Sequence, residues 1–294
     1  MILELLKEKG IKDSSIKLYL SNLKRLNNNV EPKTLTYLKN TKKILELIKD
    51  KQPNTQRTYL ISICTVLSGQ TAFKKAYDEY FKLLKDSNDL LKNNNTKSEK
   101  QNENWISQEE VNKIHKSYED EVDKFIKKKK LTEKEYNILL SYLILSLYCL
   151  IPPRRSLDYI KMIIGNDSDK DFNYLDVNNN KFIFNNFKTA GTYKCQIIDI
   201  PNNLMSIIKL YLLKRSGTKK TLPFLIKYDG EPLTTSTQIT RILNKIFDKK
   251  ISVSMMRAIY LTDKYKDINK EKQNDATSMG TSVSVADNHY IKTD

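Results

Sequence analysis

Residues 93–104, NNNTKSEKQNEN, carry no apolar side chain over twelve positions. Such a stretch buries nothing that offsets the entropy lost in ordering it. It divides the chain into two stretches that must each build a core, residues 1–92 and 105–294, joined by a polar linker. Hydrophobic residues make up 39% of the sequence, enough for two lean cores. Gly and Pro occur only seven times each, which disfavours a turn-rich all-β chain and favours long helices.

The apolar spacing in residues 1–92 is helical. Ile2, Leu5 and Leu6 open it, and Ile16, Leu20 and Leu23 form a second face that Ser14 or Ser15 is placed to cap. Leu38, Ile44, Leu45 and Ile48 continue the pattern. A further helix is expected from Thr55 through Val66, and a last one from Phe73 to Leu91.

In the second stretch the pattern restarts at Trp105 and Ile106. Ser107 stands three residues before Glu110, the spacing of a capping box. Helices are expected over 107–129 and 132–150, and Pro152–Pro153 ends the second of them. Residues 172–200 alternate and read as antiparallel strands, KFIFNN and YKCQIIDI, around a turn at Ala190–Gly191. Helices resume over 202–215, 235–248, 252–266 and 270–279. The expected fold is mainly α: a helical N-terminal domain and a mostly helical second domain with a small antiparallel β-sheet.

Charge narrows the partners. Lys and Arg number 51 against 35 Asp and Glu, a formal net charge of +16. Residues 1–100 hold 20 basic and 11 acidic residues and the remainder 31 and 24, so both lobes contribute. A surface of this sign attracts polyanions, of which nucleic acid is the commonest. Two basic lobes on a linker suit closure around double-stranded DNA. The Lys127–Lys130 run is a solvated charge run in its simplest reading, and His115 is expected at the surface.

Several classes are excluded. Cys64, Cys149 and Cys195 are far apart and form no CxxC pair, so neither a disulfide framework nor a cysteine-based zinc site is expected. The opening MILELLKEKG lacks the apolar core of a secretory signal, and the most apolar run, Leu139 to Ile151, is too short to span a membrane. An intracellular protein with reduced thiols and no membrane segment is the expectation. No GxGxxG, P-loop, GxSxG, HExxH or EF-hand pattern occurs, so no nucleotide or metal cofactor is expected.

Four separated segments carry residues suited to phosphate chemistry. They are Ile151 to Tyr159 (IPPRRSLDY), Asn186 to Thr189 (NFKT), Ser254 to Thr262 (SMMRAIYLT), and Met279 to Ser282 (MGTS) with Asn288 to Lys292 (NHYIK). This ordered set resembles the tyrosine recombinase (site-specific integrase) superfamily, in the style of divergent members from large DNA viruses, virophages and related mobile elements. The segment SSIKLYLSNLKRL resembles the opening of that family's helical core-binding domain, and residues 105–294 its catalytic domain.

The resemblance implies a metal- and ATP-independent enzyme that cuts and rejoins duplex DNA. Tyr290 would attack the scissile phosphate and form a 3′-phosphotyrosyl link. Arg155 and Arg257 would clamp the non-bridging oxygens, and Lys188 would protonate the leaving 5′ oxygen. Arg154 competes for the first role, but the family's acid three residues on is Asp158, which fits Arg155 and would orient a neighbouring basic group. Lys194 is the rival of Lys188. Ser254 and Thr281 stand where the family commonly carries His, and His or Trp; they hydrogen-bond but do not titrate near neutral pH, which leaves the base for Tyr290 unassigned. A tetramer on synapsed DNA, in a host nucleus or cytoplasm, is implied. A catalytically impaired DNA-binding protein and a type IB-like topoisomerase are the alternatives.

Overall fold

A computed structural model describes residues 2–92, 96–166, 169–215 and 223–292. The first three residues of the polar segment, 93–95, lie outside the described residues. The chain forms two compact units, residues 1–96 and 97–294.

The first unit is helical: α1 (Ile2–Glu8), α2 (Asp13–Leu26), α3 (Thr41–Ile48), α4 (Pro53–Leu67) and α5 (Lys74–Lys92). Its core gathers Leu6, Leu23, Leu38, Ile63 and Val66. Two buried polar contacts fix the packing. Asn22 Nδ2 donates to Ser62 Oγ at 3.0 Å, and the Tyr80 hydroxyl donates to the Leu38 carbonyl at 3.0 Å. α2 begins earlier than the serines suggested. Lys12 is its extended N-cap, and Asp13 sets a negative charge at the positive helix end, so Ser14 and Ser15 fall inside the first turn. α4 likewise starts at Pro53, whose fixed φ suits the first helical position.

The second unit holds α6 (Glu99–Asn104), α7 (Gln108–Asp123), α8 (Glu133–Cys149), α9 (Ser156–Ile160), β1 (Met162–Ile164), β2 (Asn173–Asp176), β3 (Lys181–Phe184), α10 (Ala190–Tyr193), β4 (Gln196–Asp199), α11 (Asn202–Lys214), α12 (Ser236–Phe247), α13 (Val253–Ser278) and α14 (Val283–Val285). A π-turn follows over Ala286–Tyr290. α8 is the central element. Its second half is buried all round from Tyr142 to Tyr148, as that nearly all-apolar run requires, and the helix packs against α7, α11 and α12. Its first turn is closed by a capping box between Thr132 and Glu135.

The sheet runs β1-β2-β3-β4 and is mixed, not purely antiparallel. The unexpected strand is β1, three residues that leave α9 and pair parallel to β2, with Ile163 opposite Tyr174. β2 with β3 and β3 with β4 are antiparallel, placing Leu175 opposite Phe182 and Phe182 opposite Ile198. The residues around Ala190 form a helical turn, so β4 begins only at Gln196. The two helices expected over 252–266 and 270–279 are one, because no Gly or Pro interrupts residues 253–278. No helix among the described residues is long and apolar enough to cross a membrane.

From Ser98 onward the polar segment is more ordered than its composition suggested. Ser98 and Gln101 form a capping box at the start of α6, and Asn104 turns inward. Asn104 Oδ1 accepts from the Lys250 amide at 2.8 Å while its Nδ2 donates to the Lys100 carbonyl. Asn104→Ala is expected to lower the unfolding free energy by about 1 kcal/mol. Denaturant titration of the full chain checks this, and an unchanged midpoint would mean that α6 is not anchored.

Candidate functional site

The site begins where α8 ends. Pro152 and Pro153 cannot continue a helix, so the chain leaves the core as an extended loop. Arg155 then serves as the N-cap of α9 (φ −72, ψ 148), and the two arginines face different surroundings.

Arg154 is held on every side. Its Nε donates to Asp158 Oδ2 at 3.1 Å and its Nη1 to Gln196 Oε1 at 2.7 Å. The guanidinium lies 3.8 Å from the centre of the Phe184 ring and 5.0 Å from that of Phe187. Its side chain is only 15% exposed and that of Asp158 3%. Asp158 therefore pairs with Arg154, not with Arg155 as the three-residue spacing suggested. Residues 154 and 158 are four apart across the start of α9, whereas the Arg155 side chain leaves from an extended N-cap. Burial raises the Asp158 carboxyl above its ordinary pKa, and the Arg154 charge opposes that rise. The Arg155 guanidinium has no hydrogen-bond partner among the described residues.

Arg257 reaches the same place from the start of α13. Ser252 caps that helix by accepting from the Met255 amide, and Val253, Met255, Met256 and Ile259 bury its inner face. On the half-buried flank, Arg257 Nε donates to the Pro153 carbonyl at 3.2 Å. Arg154, Arg155 and Arg257 together line one open cavity of about 290 Å³, with Thr189, Tyr193 and Gln196 also in its lining. Three guanidiniums against one carboxylate make this an anion-attracting concavity.

The loop that brings Phe187 and Thr189 to the cavity is fixed by a residue the sequence did not single out. Asn173, fully buried on β2, donates to the carbonyls of Asp158 (2.7 Å) and Asn186 (3.1 Å). Its Oδ1 accepts from the amides of Asn185 (2.9 Å) and Asn186 (2.8 Å). All the capacity of one amide side chain thus ties α9 to the loop before α10. That loop buries Phe187 and leaves Lys188 exposed between two cavity-lining residues. Lys194, the other lysine considered, is exposed too. It follows α10 with φ 59 and ψ −162, a conformation that costs a non-glycine residue about 1–3 kcal/mol.

The remaining residues of the expected site are elsewhere. Ser254 is exposed, and it shares a face with Arg257 one turn away without lining the cavity. α13 continues outward with every residue from Leu261 to Glu271 exposed. It ends at Met279–Gly280, where Gly280 takes φ +68 and the Thr281 amide bonds back to the Ala276 carbonyl. Ser282 caps α14, and Tyr290, 61% exposed, closes the π-turn. An ion pair between Lys272 and Asp287 holds this segment against α13. Lys272 is fifteen residues beyond Arg257 on one helix, a rise of about 22 Å. Thr281 and Tyr290 therefore belong to the far end of α13 and not to the arginine cavity. His115, expected at the surface, is half-buried instead. Its Nε2 lies 2.9 Å from Ser146 Oγ, and burial lowers its pKa.

No protein-family model, curated protein or solved structure matches the chain.

Asn173→Ala leaves two amides and two carbonyls without their partner and is expected to cost about 3 kcal/mol. Thermal unfolding measures the loss, and hydrogen exchange should accelerate first at the Asn185 and Asn186 amides. Unchanged protection at those amides would rule out the tie.

Proposed function

We propose that this chain binds duplex DNA and breaks and rejoins it through a phosphotyrosine, as a site-specific recombinase or integrase does. The observation that carries the reading is that Arg155 and Arg257, distant in sequence, line one cavity with groups still free to donate. Two such cations match the two non-bridging oxygens of a phosphodiester. They would also stabilise the extra charge of the five-coordinate transition state.

In this reading the Tyr290 phenol oxygen attacks phosphorus, its proton passing to solvent water, and the bond to the 5′ oxygen breaks. The products are a 3′-phosphotyrosyl link and a free 5′-hydroxyl, which takes its proton from Lys188 beside the cavity. Rejoining reverses these steps, and because the phosphodiester energy is retained in the tyrosyl ester, no ATP is consumed. Ser254 and Thr281 contribute hydrogen bonds to phosphate oxygens. The reading requires the segment after Gly280 to leave its place on α13 and bring Tyr290 to the arginines of its own chain or of a second copy in a synaptic tetramer.

A second reading, DNA binding without cleavage, is favoured by one specific observation, that Tyr290 stands apart from the cavity, and by the chemistry of Ser254 and Thr281, whose hydroxyls do not titrate near neutral pH.

Incubation with a pool of nicked duplexes of randomised sequence separates the two. The enzyme reading predicts a denaturant-resistant protein–DNA adduct that Tyr290→Phe abolishes and Arg257→Ala reduces by at least about a hundredfold. DNA retention without any adduct would establish the binding reading instead.

A further inference from the structure

The arginine cavity contains a tyrosine other than the expected nucleophile. Tyr193 ends α10, a one-turn helix with no buried residue, and lines the same cavity as Arg155 and Arg257. It is 63% exposed, and its hydroxyl has no hydrogen-bond partner among the described residues. A large aromatic side chain in this position contributes little to the core. Its neighbours, by contrast, are fixed firmly. Gln196, which starts β4 three residues later, is bound to Arg154, and Phe187 is buried ahead of the turn. The short segment carrying Tyr193 is therefore anchored at both ends, while the ring itself stands at the mouth.

We infer that Tyr193 is a DNA-contacting residue of this cavity, its hydroxyl donating to the bound phosphate or the adjoining deoxyribose and its ring covering the sugar. This rests on the reading of the cavity as a phosphodiester site. A phosphate engaged by Arg155 and Arg257 occupies a concavity that Tyr193 walls. The sugars on either side of that phosphate must leave through the open mouth, where the ring is exposed. Tyrosine suits the position because one end is apolar and the other donates a hydrogen bond, and phosphate and sugar contacts of this kind orient a duplex without reading its sequence. Tyr193 is thus a positioning contact for the nucleic acid, in the same cavity as the arginines.

Because Tyr193 is exposed and packs no core, its replacement should leave the melting temperature unchanged, and this is verified first. Affinity for a randomised duplex at low salt is then measured for the wild-type chain, Tyr193→Phe, Tyr193→Ala and Arg155→Ala. The inference predicts a loss of about tenfold for the Phe variant, the size of one hydrogen bond to a charged group, and a larger loss for Ala. Unchanged binding by Tyr193→Ala, while Arg155→Ala binds weakly, would overturn the inference and leave the phosphodiester reading standing. Unchanged binding by Arg155→Ala would overturn both. If Tyr193→Phe abolished the covalent adduct and Tyr290→Phe did not, Tyr193 would be the nucleophile and the positioning role would be wrong.

Discussion

Enclosing the Arg154 guanidinium is the constraint on which the cavity depends. A cation removed from water must be paired and hydrogen-bonded, or it is strongly destabilising. Arg154 meets that requirement with partners from separate elements: Asp158 on α9, Gln196 on β4, the Phe184 ring on β3 and the Phe187 ring in the loop after it. All four segments must be in place for the guanidinium to have its full set of contacts. The charge therefore binds the helix start, the loop and the edge strand into one wall. Arg155 is the next residue, and its side chain is left to line the cavity.

The rest of the cavity lining follows from α8. The burial of its second half carries the helix through the core to its edge, and the two prolines turn the chain outward there. The α13 start packs beside that turn through Met255, Met256 and Ile259, and the Pro153 carbonyl receives Arg257. Arg154 is thus committed to structure, while Arg155 and Arg257 remain half-buried with donors toward the cavity. In the proposed reading these are the donors that would meet the phosphate, and donors held in place before binding are what electrostatic stabilisation of a transition state needs.

Much of this was legible in the sequence, for physical reasons that differ by element. Helical periodicity and the Pro152–Pro153 break announced α8 and its end, and the positions of Arg155 and Arg257 were readable once the four segments were considered together. Local chemistry set the rest. Asn173 has no signature in DFNYLD, because its role consists of partners supplied by α9 and by the loop at Asn185–Asn186. Asp158 was assigned by spacing to Arg155, but an extended N-cap directed it to Arg154. α6 was hidden by its composition, since a capping box and one buried asparagine order a segment that has no apolar face. Tyr290 was identified by its position after MGTS, and position in sequence says nothing of where a 26-residue helix will carry it.

The central claim is that Arg155 and Arg257 act on one phosphate. A double-mutant cycle tests it directly, with duplex affinity at fixed salt measured for Arg155→Ala, Arg257→Ala and the pair. Two guanidiniums holding the same group should be coupled, so that the double variant loses less than the sum of the single losses by about 1 kcal/mol or more. Strict additivity would mean that the two arginines meet separate groups, and the account would be wrong.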